Sequence, residues 1–237
     1  MKNLIGFLVI VAMLAVAGPA AAVPFEGDTF PSYGTPSGGG GVYELLNGAH
    51  PGDMSSTLFT GTAFHGDGSR NEYTLTGITA FSTPVEIPFA VADLFYHNGK
   101  TIAGSSVTSA PVNLDIFFTD PAGVDRAIAF SFDFSLVLNT DDPVASADTL
   151  TAKGMGGSAT FPVGADLFEV ELLGFSNDGG STIIDQFTVI EEADTSSTLY
   201  AEIVKLKGRG GSEDPIPEPG ALGLIGTALL ALRKKRR

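Results

Sequence analysis

The chain has 237 residues, no cysteine, and 27 Asp/Glu against 13 Lys/Arg, a formal charge of −14 at neutral pH. The absence of cysteine excludes disulfide staples, thiol redox chemistry, thiolate metal sites and a cysteine nucleophile. The acidic balance repels nucleic-acid phosphates and anionic lipid, so binding to DNA or RNA is excluded as a main activity.

Residues 1–22 read MKNLIGFLVIVAMLAVAGPAAA. Lys2, an apolar stretch from Leu4 to Ala17, a helix-breaking Gly18-Pro19 pair and the small residues Ala20 to Ala22 are the layout of an export signal. The expectation is a short signal helix, removed after Ala22, with Ala20 and Ala22 marking the cleavage site. Residues 23–56 are rich in Gly, Pro and Ser and contain Gly38 to Gly41 in a row. Four glycines carry a high ordering entropy and bury no side chain, which predicts a mobile lead-in.

From Thr57 onward, short apolar-alternating runs are separated by turn residues. Strands are predicted over 57–64, 72–81, 87–97, 158–163, 166–175, 181–190 and 197–206. The clearest pair lies between them. In PVNLDIFF, Val112, Leu114, Ile116 and Phe118 share one face. In RAIAFSFDFSLVLN, Ile128, Phe130, Phe132, Phe134, Leu136 and Leu138 do the same. The link TDPAGVD offers Asp120, Pro121 and Gly123 for a type I turn, which makes the pair a β-hairpin. Asn98-Gly99 marks another turn. The predicted fold is all-β: a two-sheet antiparallel β-sandwich, jelly-roll-like, over residues 57–206, with helices only at the two apolar termini.

Residues 207–214, KGRGGSED, read as a linker. Residues 215–237 have three parts in order. Pro217, Glu218 and Pro219 come first, then an apolar segment from Gly220 to Leu232, then the cations Arg233, Lys234, Lys235, Arg236 and Arg237. As a helix the apolar segment would rise about 20 Å, short of a ~30 Å hydrocarbon core, and the terminal cations would hold that end in the cytoplasm. This tail resembles the PEP-CTERM sorting signal of Gram-negative bacteria. The resemblance implies recognition by exosortase, cleavage near Pro217–Pro219, transient anchoring in the inner membrane, and delivery to the cell surface or extracellular matrix. That family is associated with exopolysaccharide and biofilm. The body, through Phe95, Tyr96, His97, Asn98 and Gly99 and then Val112, Leu114 and Phe118, is similar to the choice-of-anchor K domain. That resemblance brings no catalytic residue with it.

The expected role is therefore structural or adhesive, not enzymatic, with extracellular polysaccharide as a partner. The alternative is a carbohydrate-binding module or a glycoside hydrolase. A hydrolase needs paired carboxylates; Glu169 and Glu171 share one strand face, with Asp166 and Asp185 as neighbours. The solvated face of a half-buried strand explains that pair as well, since Phe168, Val170 and Leu172 claim the core. No Gly-x-Ser-x-Gly elbow surrounds a serine. Of the three histidines, His50 lies in the lead-in, His65 in a Gly-rich loop and His97 beside the Asn98-Gly99 turn, where a structural role is expected. Calcium is the candidate cofactor: Asn139, Asp141, Asp142 and Asp148 in one loop, and Asp67, Ser69 and Asn71 in another, are oxygen donors of the right type. Solvated turn acids are the competing explanation.

Overall fold

The computed structural model describes residues 24–48, 54–64, 68–137 and 142–206. Among them there are strands and turns and no helix. The signal segment with Ala20 and Ala22, His50, His65, the linker, and the tail with Pro217, Glu218, Pro219 and Arg233 to Arg237 lie outside the described residues.

Two antiparallel sheets face each other in a sandwich-like arrangement. The first has the order β12 (Gln186–Val189), β9 (Asp148–Lys153), β8 (Val124–Ser135), β7 (Ser109–Asp120), β1 (Phe25–Tyr33) and β5 (Phe81–Thr83). The second has the order β10 (Ser158–Val163), β11 (Asp166–Ser176), β13 (Ala193–Leu206), β6 (Phe89–Asn98), β4 (Asn71–Gly77), β3 (Ser55–Thr60) and β2 (Tyr43–Asn47). Period-two alternation drives this. On β7 and β8, the residues from Val112 to Phe118 and from Ile128 to Phe134 that alternate inward are all buried. The hairpin pairs Phe118 with Val124 and Ile116 with Arg126, and its Asp120–Pro121 bond is cis.

Aromatic rings close the space between the sheets. Phe25 on β1 meets Phe168 on β11 edge-on at 5.1 Å and Phe161 on β10 at 5.8 Å. Phe132 on β8 meets Phe175 at 6.0 Å, and Tyr73 on β4 lies 4.5 Å from Phe134. Such pairs add to the burial term, which supplies most of the driving force.

The lead-in is corrected by β1. Residues 25–33 are not a mobile segment; they form an inner strand of the first sheet, paired with β7 on one side and β5 on the other. The inward residues are Phe25, Gly27, Thr29, Pro31 and Tyr33. Only two of these five are apolar side chains of the usual strand type, so the alternation was hidden by composition. Gly27 is required there: a Cβ would fall 2.2 Å from the Phe117 carbonyl oxygen. Thr29 sits fully buried, and its hydroxyl donates to the Val91 carbonyl of the opposite sheet while accepting from the Ile78 N–H at 2.8 Å. That is how a polar residue survives in the core.

The glycine run is also corrected. A Cβ on Gly39 would lie 1.9 Å from the Ser106 carbonyl oxygen, and one on Gly40 would lie 2.4 Å from that of Gly104. These residues are glycine because two backbones approach closely, and Gly38, Gly39 and Gly41 take positive φ. Asp148, predicted in a solvated loop, opens β9 and is buried.

Candidate functional site

Strand pairing builds a straight row of side chains across the outer face of the seven-stranded sheet. Glu44 opposes Phe59, Phe59 opposes Glu72, Glu72 opposes His97, and His97 opposes Asp194. Five strands at about 4.8 Å spacing give a row about 19 Å long. These five residues, with Ser69, Arg70 and Phe95, line a depression of about 520 Å³.

The row is held in place by polar contacts. Arg70 pairs with Glu44 at 2.8 Å and lies 5.3 Å over the Phe59 ring. His97 Nδ1 is 2.6 Å from the Asp194 carboxylate, and its Nε2 is 2.7 Å from the Ser69 hydroxyl. Gly99 permits this: a Cβ there would fall 2.5 Å from the Arg70 carbonyl, so only glycine lets segment 68–70 lie against the turn after β6. Gly99 N–H donates to Asn71 at 2.7 Å and Asn98 donates to the Val189 carbonyl at 2.7 Å, fixing the turn from inside.

Ser69, His97 and Asp194 thus stand in the linear order of a hydrolytic triad, which sequence reading did not foresee. Two features set the arrangement apart. The Asp194 side chain is 61% exposed, so water screens its charge. The Ser69 hydroxyl also lies 3.1 Å from the Glu192 carboxylate, which accepts the Lys100 backbone N–H at 2.8 Å. A carboxylate beside the hydroxyl opposes the negative charge that an attacking oxygen and its oxyanion would carry. The geometry suits a hydrogen-bonded clamp. Glu192, at φ 58°, ties the connection from β12 to β13 to both the 68–70 segment and the turn at Gly99.

A second depression, of about 560 Å³, continues along the same face. It shares Phe95 with the first and is lined by hydroxyls and amides, among them Thr76, Ser196, Thr198, Asn177 and Tyr200. Asp93, which also lines it, accepts from Thr198 at 2.6 Å. Phe95 itself is 36% exposed although β6 is an inner strand.

The other sequence candidates are placed elsewhere. Glu169 and Glu171 do alternate outward from buried Phe168, Val170 and Leu172, but Glu169 accepts the Ser158 hydroxyl and Glu171 opposes Glu202. Asp166 pairs with Lys205 at 2.6 Å, and Asp185 is exposed before β12. None of these four lines either depression. Of the calcium candidates, Asn139, Asp141 and Asp67 lie outside the described residues. Asp142 accepts the Val144 N–H at 2.9 Å, Asn71 is buried behind the Gly99 turn, and Ser69 belongs to the clamp. Among the described residues, no three His, Asp or Glu side chains converge to hold a metal ion.

Asp148 has a separate electrostatic character. Burial pushes its carboxyl up to about 6; the Val137 N–H, 2.6 Å away, works against this, and the nearby Glu191 charge adds to it. A folded value above the ordinary 3.8 means that the folded state holds this proton more tightly. The contribution is fully present below pH 3.8 and is lost as pH rises through about 6. Asp148→Asn keeps the acceptor and removes the charge. The variant is expected to exceed the natural chain in stability at pH 8 by on the order of 1–3 kcal/mol, with the gap closing towards pH 4. Urea unfolding at both pH values measures it; equal gaps at the two would contradict the burial argument.

No protein-family model matches the chain, and no curated protein matches it.

Proposed function

We propose that the chain is an exported β-sandwich protein, sorted by an exosortase to the cell surface or extracellular matrix of a Gram-negative bacterium. Its role there is structural or adhesive within exopolysaccharide, and not enzymatic. The observation that carries the reading is the tail: Pro217-Glu218-Pro219, an apolar segment and five cations in that order. An export signal at the opposite end agrees with it.

The geometry of the body supports the same reading. Pro24, where the described chain begins, and Lys205, beside its last strand residue, line one cavity of about 320 Å³ together with Phe25 and Phe168. The two ends of the described chain therefore lie at the same end of the sandwich. Asp194 lies twelve residues before Leu206 on the one strand β13, or about 40 Å at ~3.3 Å per residue. A body tethered at the Leu206 end presents the row from Glu44 to Asp194 outward. The chain passes repeatedly between the two sheets, which supports the jelly-roll-like class for the sandwich.

Replacing Pro217, Glu218 and Pro219 together by alanine tests the sorting step. In the native host the variant is expected to stay in the membrane fraction while the natural chain reaches the medium or cell surface. Equal release of both would contradict the reading.

A further inference from the structure

We propose that the outer face of the seven-stranded sheet is a glycan-binding groove, which takes an extended chain of neutral or amine-bearing sugars over Phe95. This deepens the adhesive role, and it rests on that reading only for placing the chain beside polysaccharide. The two depressions lie on one face with Phe95 lining both, so together they offer an open, elongated surface instead of a closed pocket. A linear polymer fits such a shape; a compact metabolite would leave most of it empty.

The lining matches sugar chemistry. One half is dense in hydroxyls, with Thr76, Ser196, Thr198 and Tyr200, and holds the Asp93 carboxylate as a strong acceptor. The other half offers Glu44, Glu72 and Asp194 as acceptors and the Arg70 guanidinium as a donor. A pyranose presents alternating donors and acceptors at its rim and an apolar C–H face. The rim finds carboxylates and hydroxyls here, and the C–H face finds the exposed ring of Phe95. An exposed aromatic on an inner strand, with polar groups on both sides along the strand, gains from being covered.

Charge narrows the class. Glu44, Glu72, Asp93 and Asp194 outnumber Arg70 as fixed charges on this face, and Arg70 is already paired with Glu44. A polyuronate or sulfated glycan would meet repulsion, whereas a hexosamine chain would be attracted. The pre-set contacts of the row also lower the ordering cost on binding.

The test is calorimetric titration of the full-length chain in detergent with cellohexaose, a chitosan hexamer and a mannuronate hexamer. Cellohexaose or the chitosan hexamer is expected to bind, the mannuronate hexamer not. Phe95→Ala is expected to weaken binding about tenfold. Thr76→Arg, which obstructs the groove from an exposed position, is expected to abolish it. Phe117→Ala, on the outer face of the other sheet, leaves it unchanged. Melting curves show that each variant is folded. Silence towards all three ligands, preference for the mannuronate, or equal affinity of Phe95→Ala and Thr76→Arg with the natural chain overturns the groove. The titration does not pass through sorting. Binding in the titration, with Arg237 retained on the protein from the native host, would end the sorting reading alone; a tail processed in the host, without binding in the titration, would end the groove alone.

Discussion

A chain beginning at Thr57, where the strand pattern first becomes clear, will not fold. A chain beginning at Pro24 will melt as the natural protein does. The shorter chain lacks β1, which is flanked by β7 and β5, so β7 would be left with unpaired backbone along its length. It also lacks Phe25 and Tyr33, both buried, and the Thr29 link between the sheets. Losing an inner strand costs far more than the whole stability of an ordinary domain, about 5–15 kcal/mol. Circular dichroism during heating decides it: the Thr57 chain shows no cooperative transition. A sharp melt near that of the longer chain would mean that β1 is dispensable and that the lead-in expectation was right.

Phe132→Ala should be the most damaging single truncation in the core. Phe132, in the C-terminal half of β8, is fully buried. Its ring meets Phe130 at 5.5 Å, Phe175 at 6.0 Å and Tyr33 at 6.3 Å, so three strands and both sheets converge on it. Removing it leaves a void that rigid neighbouring rings cannot close, and the expected loss is about 3–5 kcal/mol. Urea unfolding should show a lower midpoint with unchanged slope. A loss below about 1 kcal/mol, typical of a surface site, would show that the sheets do not pack through this ring.

The strands that were legible in the sequence share one property. Their inward residues are large and apolar, as from Val112 to Phe118 on β7 and from Ile128 to Phe134 on β8, so period two stands out. Four strands were not legible. In β1 the inward positions include Gly27, Thr29 and Pro31, each chosen for a close contact or a hydrogen bond and each typical of loops. β5 has three residues, too few for any period. β9 begins at Asp148, which composition alone assigns to water. β2 is an edge strand whose residues are mostly exposed.

The site was legible only in fragments. Phe59, Glu72, His97 and Asp194 each fall on the face opposite a buried neighbour, and the alternation of their own strands shows that much. What aligns them is the register between β3, β4, β6 and β13, and β13 lies almost a hundred residues after β6. No local signal specifies that pairing. Ser69 likewise reads in sequence as a calcium donor, because nothing around it reveals that Gly99 lets it reach His97. Glu169 and Glu171 stand out because they are close in sequence; the carboxylates that share a depression, Glu44, Glu72 and Asp194, are far apart in the chain.

Intact mass spectrometry of the mature protein from its native host, comparing membrane with medium, tests the central claim most directly. The account predicts a chain starting at Val23 and ending near Pro217–Pro219, outside the cell. A chain in the membrane that still carries Arg237 would be a permanently anchored protein, and the assignment to the extracellular matrix would fall.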